Sequence, residues 1–336
     1  MIREAIKMLV DNLSLSEEEM AECMKEIMEG RATDAQIGAF LTGLRIKGET
    51  IEEITGAARI MREKAITIKA PEGVLDTCGT GGDMSHTFNI SSTTAIVVSA
   101  CGVPVAKHGN RSVSSQSGSA DLLESLGVKI DLPPEKVQEC LFETGFGFLF
   151  APLFHPAMRY AISPRREMGI RTIFNILGPL TNPAGAKRQL LGVFADNLTE
   201  IIAKVLKNLG TIDAMVVHGE DGLDEITISE VTKVSRLKNG KVENFFIAPE
   251  DFGFKRNRID LIRGGNKEEN AVITLSILNG EKGPKRDIVL MNSAAALIVS
   301  GMAEDFRTAI LIAEDAIDSG KALKKLEEIK RISNSL

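Results

Sequence analysis

Tryptophan is absent and tyrosine occurs once, as Tyr160. So few flat side chains argue against a base-stacking platform for single-stranded nucleic acid. Surplus positive charge is missing too: 40 lysines and arginines face 46 aspartates and glutamates, a net charge of −6. Broad nucleic-acid binding needs a basic face, so that class is disfavoured, although a local basic pocket is not. The four cysteines, Cys23, Cys78, Cys101 and Cys140, are scattered and form no CxxC pair. That spacing speaks against zinc and for free thiols in a reducing compartment. Nor do His86, His108, His155 and His218 show the spacing of a histidine metal site. No apolar run reaches membrane-spanning length and no signal peptide is visible, so the expected location is the cytoplasm.

What is present is an ordinary globular composition, 43% hydrophobic and 26% charged, over 336 residues. That length suits two domains better than one core. The first part reads as helical. Ile2, Ile6, Leu9 and Leu13 form one stripe at helical spacing. Ser16 with Glu19, Thr33 with Gln36, and Thr50 with Glu53 each form a capping-box pattern ahead of an apolar stripe. Four short helices with no strand between them predict a separate helical unit, its methionines packing rather than holding a cofactor. From about residue 72 the pattern alternates. Apolar runs at 103–106, 190–194 and 214–217 read as strands, and 119–126 and 197–209 as helices. Asn239-Gly240 marks a hairpin, and the chain from about 288 is helical again. The fold class is α/β: a small N-terminal helical domain plus a larger α/β domain whose central, largely parallel sheet is flanked by helices.

Four clusters carry candidate chemistry. Gly79-Thr80-Gly81-Gly82-Asp83 follows an apolar run and precedes Asn89-Ile90-Ser91-Ser92-Thr93-Thr94. Strand, glycine loop and helix start in that order bring N–H groups together, an arrangement that binds anions. The loop is neither a Walker A sequence nor the dinucleotide fingerprint, and alone it is equally compatible with a tight turn. Lys107 through Ser115, closing at Ser119, follows a predicted strand, and ligand crevices form at strand C-terminal ends. Two cations, an amide and several hydroxyls suit a polyanion there; the bland alternative is a polar surface loop. His108 has no carboxylate partner nearby in sequence, and His86, His155 and His218 read as structural or peripheral. Asp224-Glu225 offers hard oxygens suited to Mg²⁺ bridging to phosphates. Arg165-Arg166 supplies guanidinium forks for carboxylate or phosphate, unless nearby acids such as Glu167 pair with them.

Taken together and in order, these clusters resemble one family, the anthranilate phosphoribosyltransferases. The matching pieces are the loop at 79–83, Asn89 through Ser92, Lys107 through Ser119, Phe150-Ala151-Pro152 with His155 through Arg159, Asn175 through Pro183, and Asp224-Glu225. The resemblance covers essentially the whole chain. It departs at Met84, where a small residue is expected, and at Ser92, where threonine is usual; Ser92 keeps the hydroxyl.

The resemblance implies transfer of a 5-phosphoribosyl group from 5-phosphoribosyl 1-pyrophosphate (PRPP) to the amine of anthranilate, with release of pyrophosphate, the second step of tryptophan synthesis from chorismate. It implies a helical domain over 1–70, completed by about 165–182, and an α/β domain over 71–164 and 183–336. Carried over, PRPP would meet Gly79, Gly82, Asp83, Thr87, Asn89, Ile90, Ser91, Ser92, Lys107, His108, Gly109, Asn110, Arg111, Ser112, Val113, Ser114, Ser115 and Ser119. Anthranilate would meet Gly79, Asn110 and Arg165, and Mg²⁺, two ions per site, would meet Ser91, Asp224 and Glu225. No residue is expected as a dedicated acid or base, and Lys107 would act electrostatically. A homodimer through the helical domain is implied. The rival readings are a pyrimidine nucleoside phosphorylase and a non-catalytic relative that binds nucleic acid or phosphate.

Overall fold

The computed structural model describes residues 1–112 and 116–336. The predicted site residues Val113, Ser114 and Ser115 lie outside the described residues.

Four helices open the chain: α1 (Ile2–Val10), α2 (Glu17–Met28), α3 (Asp34–Lys47) and α4 (Ile51–Lys64). All three expected capping boxes form, with reciprocal bonds of 2.8–3.3 Å at Ser16/Glu19, Thr33/Gln36 and Thr50/Glu53. Each satisfies two N–H groups the helix cannot bond itself, stabilising it by about 1 kcal/mol. Glu53 also accepts from Leu15 N–H and pairs with the buried Lys47 ammonium at 2.9 Å, tying three helix ends to one carboxylate. One expectation fails here. Asn12 takes a left-handed φ of 57°, α1 stops at Val10, and Leu13 turns out to solvent instead of joining the stripe.

The remaining chain alternates strand and helix: β1 (Leu75–Gly79), α5 (Ile90–Ala100), β2 (Val105–Gly109), α6 (Ser119–Ser125), α7 (Pro134–Thr144), β3 (Phe146–Phe150). Then come α8 (Ala151–Phe154), α9 (Arg159–Met168), α10 (Phe174–Leu177), β4 (Arg188–Gly192), α11 (Leu198–Asn208) and β5 (Asp213–Gly219). The hairpin β6 (Thr232–Lys238) and β7 (Lys241–Ile247) turns at Asn239-Gly240, both residues at positive φ. Last are α12 (Lys267–Leu278), α13 (Pro284–Ser300), α14 (Phe306–Asp318) and α15 (Lys321–Ser335). Two of these correct the sequence reading. The C-terminal helical region begins at Pro284 rather than near 288, and α12 precedes it, started by a fourth capping box at Asn266/Glu269.

The seven strands form one sheet in the order β3-β2-β1-β4-β5-β6-β7, parallel through β5 and antiparallel beyond it. β5 is apolar on both faces along Ala214–Val217, as a strand in a covered parallel sheet must be. Met215 and Val217 point to the core shared with α5, α13, α14 and α15, while Ala214 and Val216 point to the core shared with α11 and the N-terminal helices. Ala161, Ile173, Phe174, Ile176, Leu177 and Leu180 join that second core, so the segment around α9 and α10 packs with α1–α4. Strand order reverses at β1: β2 and β3 lie to one side, β4 and its successors to the other. Such a switch point leaves a crevice at the strands' C-terminal ends.

Candidate active site

That crevice is a cavity of about 620 Å³ at the ends of β1 and β2 and against the segment that follows β3. Every described residue expected to touch a substrate or metal lines it: the loop residues from Gly79 to Thr87, Asn89 through Ser92, Lys107 through Ser112, Ser119, Arg165, Asp224 and Glu225. The floor is set by two glycines. Gly79 and Gly192 are register partners that end β1 and β4 side by side. The backbone of Asp224 runs across them so closely that a Cβ on Gly192 would sit 1.5 Å from its carbonyl oxygen, and one on Gly79 would sit 2.5 Å from its Oδ2. Asn292 of α13 fixes the next residues, accepting from Ile226 N–H and donating to Ile226 C=O, both at 3.0 Å. The two carboxylates therefore enter the crevice from a backbone held on two sides.

Both carboxylates meet N–H groups of the glycine loop and the helix behind it. Gly81 N–H donates to Asp224 Oδ2 at 2.7 Å, and Ser91 N–H, in the first turn of α5, donates to Glu225 Oε1 at 3.0 Å. The loop turns through positive φ at Gly81 and Gly82 and also at Met84 and His86, whose side chains disfavour it. Only glycine, which has no Cβ, would relax position 84, so methionine there carries the cost of the left-handed backbone. Ser85 Oγ donates to Asp83 Oδ2 and helps hold the bend.

Burial makes these charges costly. Asp224 is pushed up to about 7 by burial and then by Asp83 beside it. Glu225 is driven well above the ordinary carboxylate range by burial and by Asp224. Two buried carboxylates next to a serine hydroxyl form an all-oxygen donor set, which fits a hard metal such as Mg²⁺. Among the described residues no three His, Cys, Asp or Glu side chains close into a complete ligand set. A metal here would complete its shell from substrate phosphates and water, the habit of Mg²⁺.

Lys107 and His108 differ from expectation in one respect. They belong to β2 itself rather than to the loop after it. Lys107 is buried, and its Nζ donates to Thr77 C=O at 2.6 Å and to Ser91 Oγ at 3.4 Å. Burial lowers its pKa, while Asp76, Glu225 and Asp224 act to raise it. Asp76, pushed up to about 6 by burial, accepts from His108 N–H and from Asn182 Nδ2. The His108 ring faces Gly178 C=O at 3.2 Å and lies 5.0 Å from the ring of His155. Both imidazoles are held neutral, His108 down to about 3 and His155 to about 4, chiefly by burial. His155, structural or peripheral by its sequence context, forms a wall of the cavity.

The outer half of the cavity is built by α9 and α10. Arg165 lies over the Phe174 ring at 5.0 Å, has no charged partner among the described residues, and has its pKa lowered by burial. Its fork is thus open to an anionic ligand, not tied to Glu167, which accepts instead from Ser163 Oγ. Arg111 behaves differently: Asp121 and Glu124 of α6 hold its guanidinium at 2.8–3.1 Å. Cys78 is a free, buried thiol with its pKa raised well above the ordinary value by burial, a setting that disfavours the thiolate.

Two family models match the chain. The glycosyl transferase family a/b domain spans residues 71–323, and the glycosyl transferase family helical bundle domain spans residues 3–65. The anthranilate phosphoribosyltransferase of Acetivibrio thermocellus is 58% identical over 336 residues, covering 100% of this chain and 97% of that protein. The crystal structure of anthranilate phosphoribosyltransferase from Thermus thermophilus superposes with a TM-score of 0.93 at 41% identity, covering 98% of this chain and 99% of that one. The Saccharomyces cerevisiae enzyme, solved in complex with PRPP and Mg, superposes with a TM-score of 0.92 at 29% identity, covering 100% and 98%.

Proposed function

We propose that this chain, which belongs to the anthranilate phosphoribosyltransferase family, runs its reaction in the cleft over β1 and β2. The chain transfers the 5-phosphoribosyl group of PRPP to the amine of anthranilate and releases pyrophosphate, a step of tryptophan biosynthesis. One observation carries the assignment of the site. A single cavity joins a glycine loop, a buried lysine and paired carboxylates at one end to an arginine on an aromatic ring, without an acidic partner among the described residues, at the other.

PRPP occupies the inner half, against Gly79, Gly82, Asp83, Thr87, Asn89 to Ser92, Lys107 to Ser112 and Ser119. Asp224, Glu225 and the Ser91 hydroxyl hold magnesium, two ions per site. When bound, magnesium neutralises the pyrophosphate and the charge that grows on it as it departs. Lys107 adds a fixed positive charge beneath the same group, at an ammonium already oriented by Thr77 C=O. Arg165 binds the anthranilate carboxylate with its fork, Asn110 lies beside it, and the amine is thereby turned toward C1 of the ribose. An arylamine is neutral near pH 7, so attack needs no general base, and the neutral His108 and His155 rings serve as walls.

The protein works as a cytoplasmic homodimer. Four free thiols suit a reducing compartment, and the exposed apolar side chains Val10, Leu13 and Ile46 on the helical unit supply surface for a partner copy. The deciding assay follows loss of anthranilate fluorescence with PRPP and Mg²⁺ present or withheld in turn. Turnover that requires both is expected. Phosphorolysis of thymidine or uridine without magnesium would instead establish a nucleoside phosphorylase.

A further inference from the structure

Asn270 stands on the inward side of α12, almost completely buried, and both ends of its amide are used. Its Nδ2 donates to Asn89 Oδ1 at 3.0 Å, and its Oδ1 accepts from Gly265 N–H at 2.8 Å. Asn89 precedes α5 in the wall assigned to PRPP. Its Oδ1 also accepts from Ser117 Oγ at 3.2 Å, and its Nδ2 donates to Ser117 C=O at 3.1 Å. With two donors on the oxygen and an acceptor facing the nitrogen, the Asn89 amide has one orientation.

The other arm reaches the glycine loop. Gly265 continues a segment that pairs with the loop's exit: Gly264 N–H donates to His86 C=O at 3.0 Å, Phe88 N–H donates to Ile262 C=O at 3.4 Å, and Thr87 bridges to Arg263. There is no slack between these parts. A Cβ on Gly264 would lie 2.6 Å from both Asn270 Oδ1 and Phe88 Cα. One side chain thus joins the start of α5, the Ser117 turn ahead of α6 and the brace behind His86–Phe88. Asn89, Ser117 and His86–Phe88 line the inner half of the cavity, and the brace supports the last of these from behind. Arg165, at the outer half, is held by other elements.

We propose that Asn270 is a positioning residue for the phosphoribosyl half of the site: by fixing Asn89 and the 262–265 brace it sets affinity for PRPP and leaves affinity for anthranilate alone. The proposal rests on reading the inner half as the PRPP site. A purely structural amide would change melting temperature without separating the two substrates.

The test compares the full-length wild-type protein with Asn270→Leu, Asn270→Ala and Thr274→Val. Thr274 lies one turn further along α12 and shares a buried 3.0 Å bond with Thr93 Oγ1, so its replacement also removes a buried hydrogen bond from the same helix. Steady-state KM values are measured for both substrates with Mg²⁺ fixed, and PRPP binding is measured by calorimetry. Both Asn270 variants remove two hydrogen bonds of a buried amide and should raise the PRPP KM and Kd at least roughly tenfold, leaving the anthranilate KM unchanged. Thr274→Val should shift the melting temperature alone. If Asn270→Leu fails to fold, Asn270→Ala, which adds no bulk, gives the same readout. An unchanged PRPP KM, an equal rise in both KM values, or Thr274→Val matching the Asn270 variants would overturn the proposal. A wild-type protein that consumes no anthranilate would overturn the underlying functional reading instead.

Discussion

Replacing Gly192 by alanine tests whether the sheet places the carboxylates. The added Cβ would begin 1.5 Å from Asp224 C=O, and contacts under 3.0 Å are essentially never made by a real Cβ. The backbone of Asp224 must therefore retreat by about 1.5 Å, more than a hydrogen bond tolerates before weakening steeply. Two bonds depend on that backbone: Gly81 N–H to Asp224 at 2.7 Å and Ser91 N–H to Glu225 at 3.0 Å. Leaving such buried groups unmade costs roughly 1–3 kcal/mol each, so about 3 kcal/mol together is a moderate figure. Expressed on the transition state, that is a loss of about a hundredfold in kcat/KM. The measurement is kcat/KM for PRPP at saturating anthranilate and fixed free Mg²⁺. Gly38→Ala is the control, because its Cβ would meet nothing nearer than Met168 Sδ at 3.9 Å. A Gly192→Ala protein within about threefold of wild type, where the lost bonds should cost far more, would refute the reasoning.

Other perturbations probe the remaining parts. Arg165→Ala should raise the KM for anthranilate roughly a hundredfold, the scale of a lost charge-assisted pair, with little change for PRPP; equal effects on both would remove the carboxylate role. Asp224→Asn with Glu225→Gln should shift the Mg²⁺ concentration for half-maximal rate upward at least about tenfold, and an unchanged Mg²⁺ profile would reject the metal assignment. The buried histidines predict a pH effect on stability. Their folded values, about 3 for His108 and about 4 for His155, lie below the unfolded value, so their stabilisation is complete above the unfolded pKa and is lost as pH falls toward the folded one. At pH 5 each should cost roughly 2 kcal/mol relative to pH 8. Urea unfolding of His155→Leu should show a loss of stability between those pH values smaller by about that amount, and a wild-type slope would contradict it.

Local chemistry was the legible part of the chain. Three capping boxes, the Asn239-Gly240 hairpin and the turn from β1 into α5 are each written in a few adjacent residues, and each forms. What stayed hidden depends on partners. Helix α12 carries a capping signal at Asn266 and Glu269, but its inward positions include Asn270 and Thr274 while Val272 is exposed, so no apolar stripe marks it. β2 runs on through Lys107 and His108 because Thr77 C=O and Asp76 accept from them, and charged residues otherwise read as loop. The constellation of candidate residues was visible from the family resemblance. The means of holding it was not: Asn292 behind Asp224-Glu225, Asn182 on Asp76 and Asn270 behind Asn89 are single polar residues far away in sequence.

The pairing of β1 with β4 has a kinetic consequence. Leu75 lies opposite Arg188, across 113 intervening steps of chain, while β6 and β7 meet through a two-residue turn. Closing so long a loop forfeits entropy before any contact repays it, so pairing of this kind is slow. The hairpin and the N-terminal helices can assemble early from near neighbours, whereas the β1–β4 seam must wait for everything between them. Because Gly79, Gly192 and the Asp224 crossing all lie on that seam, recovery of activity during refolding should trail recovery of secondary structure, with no partly active intermediate along the way.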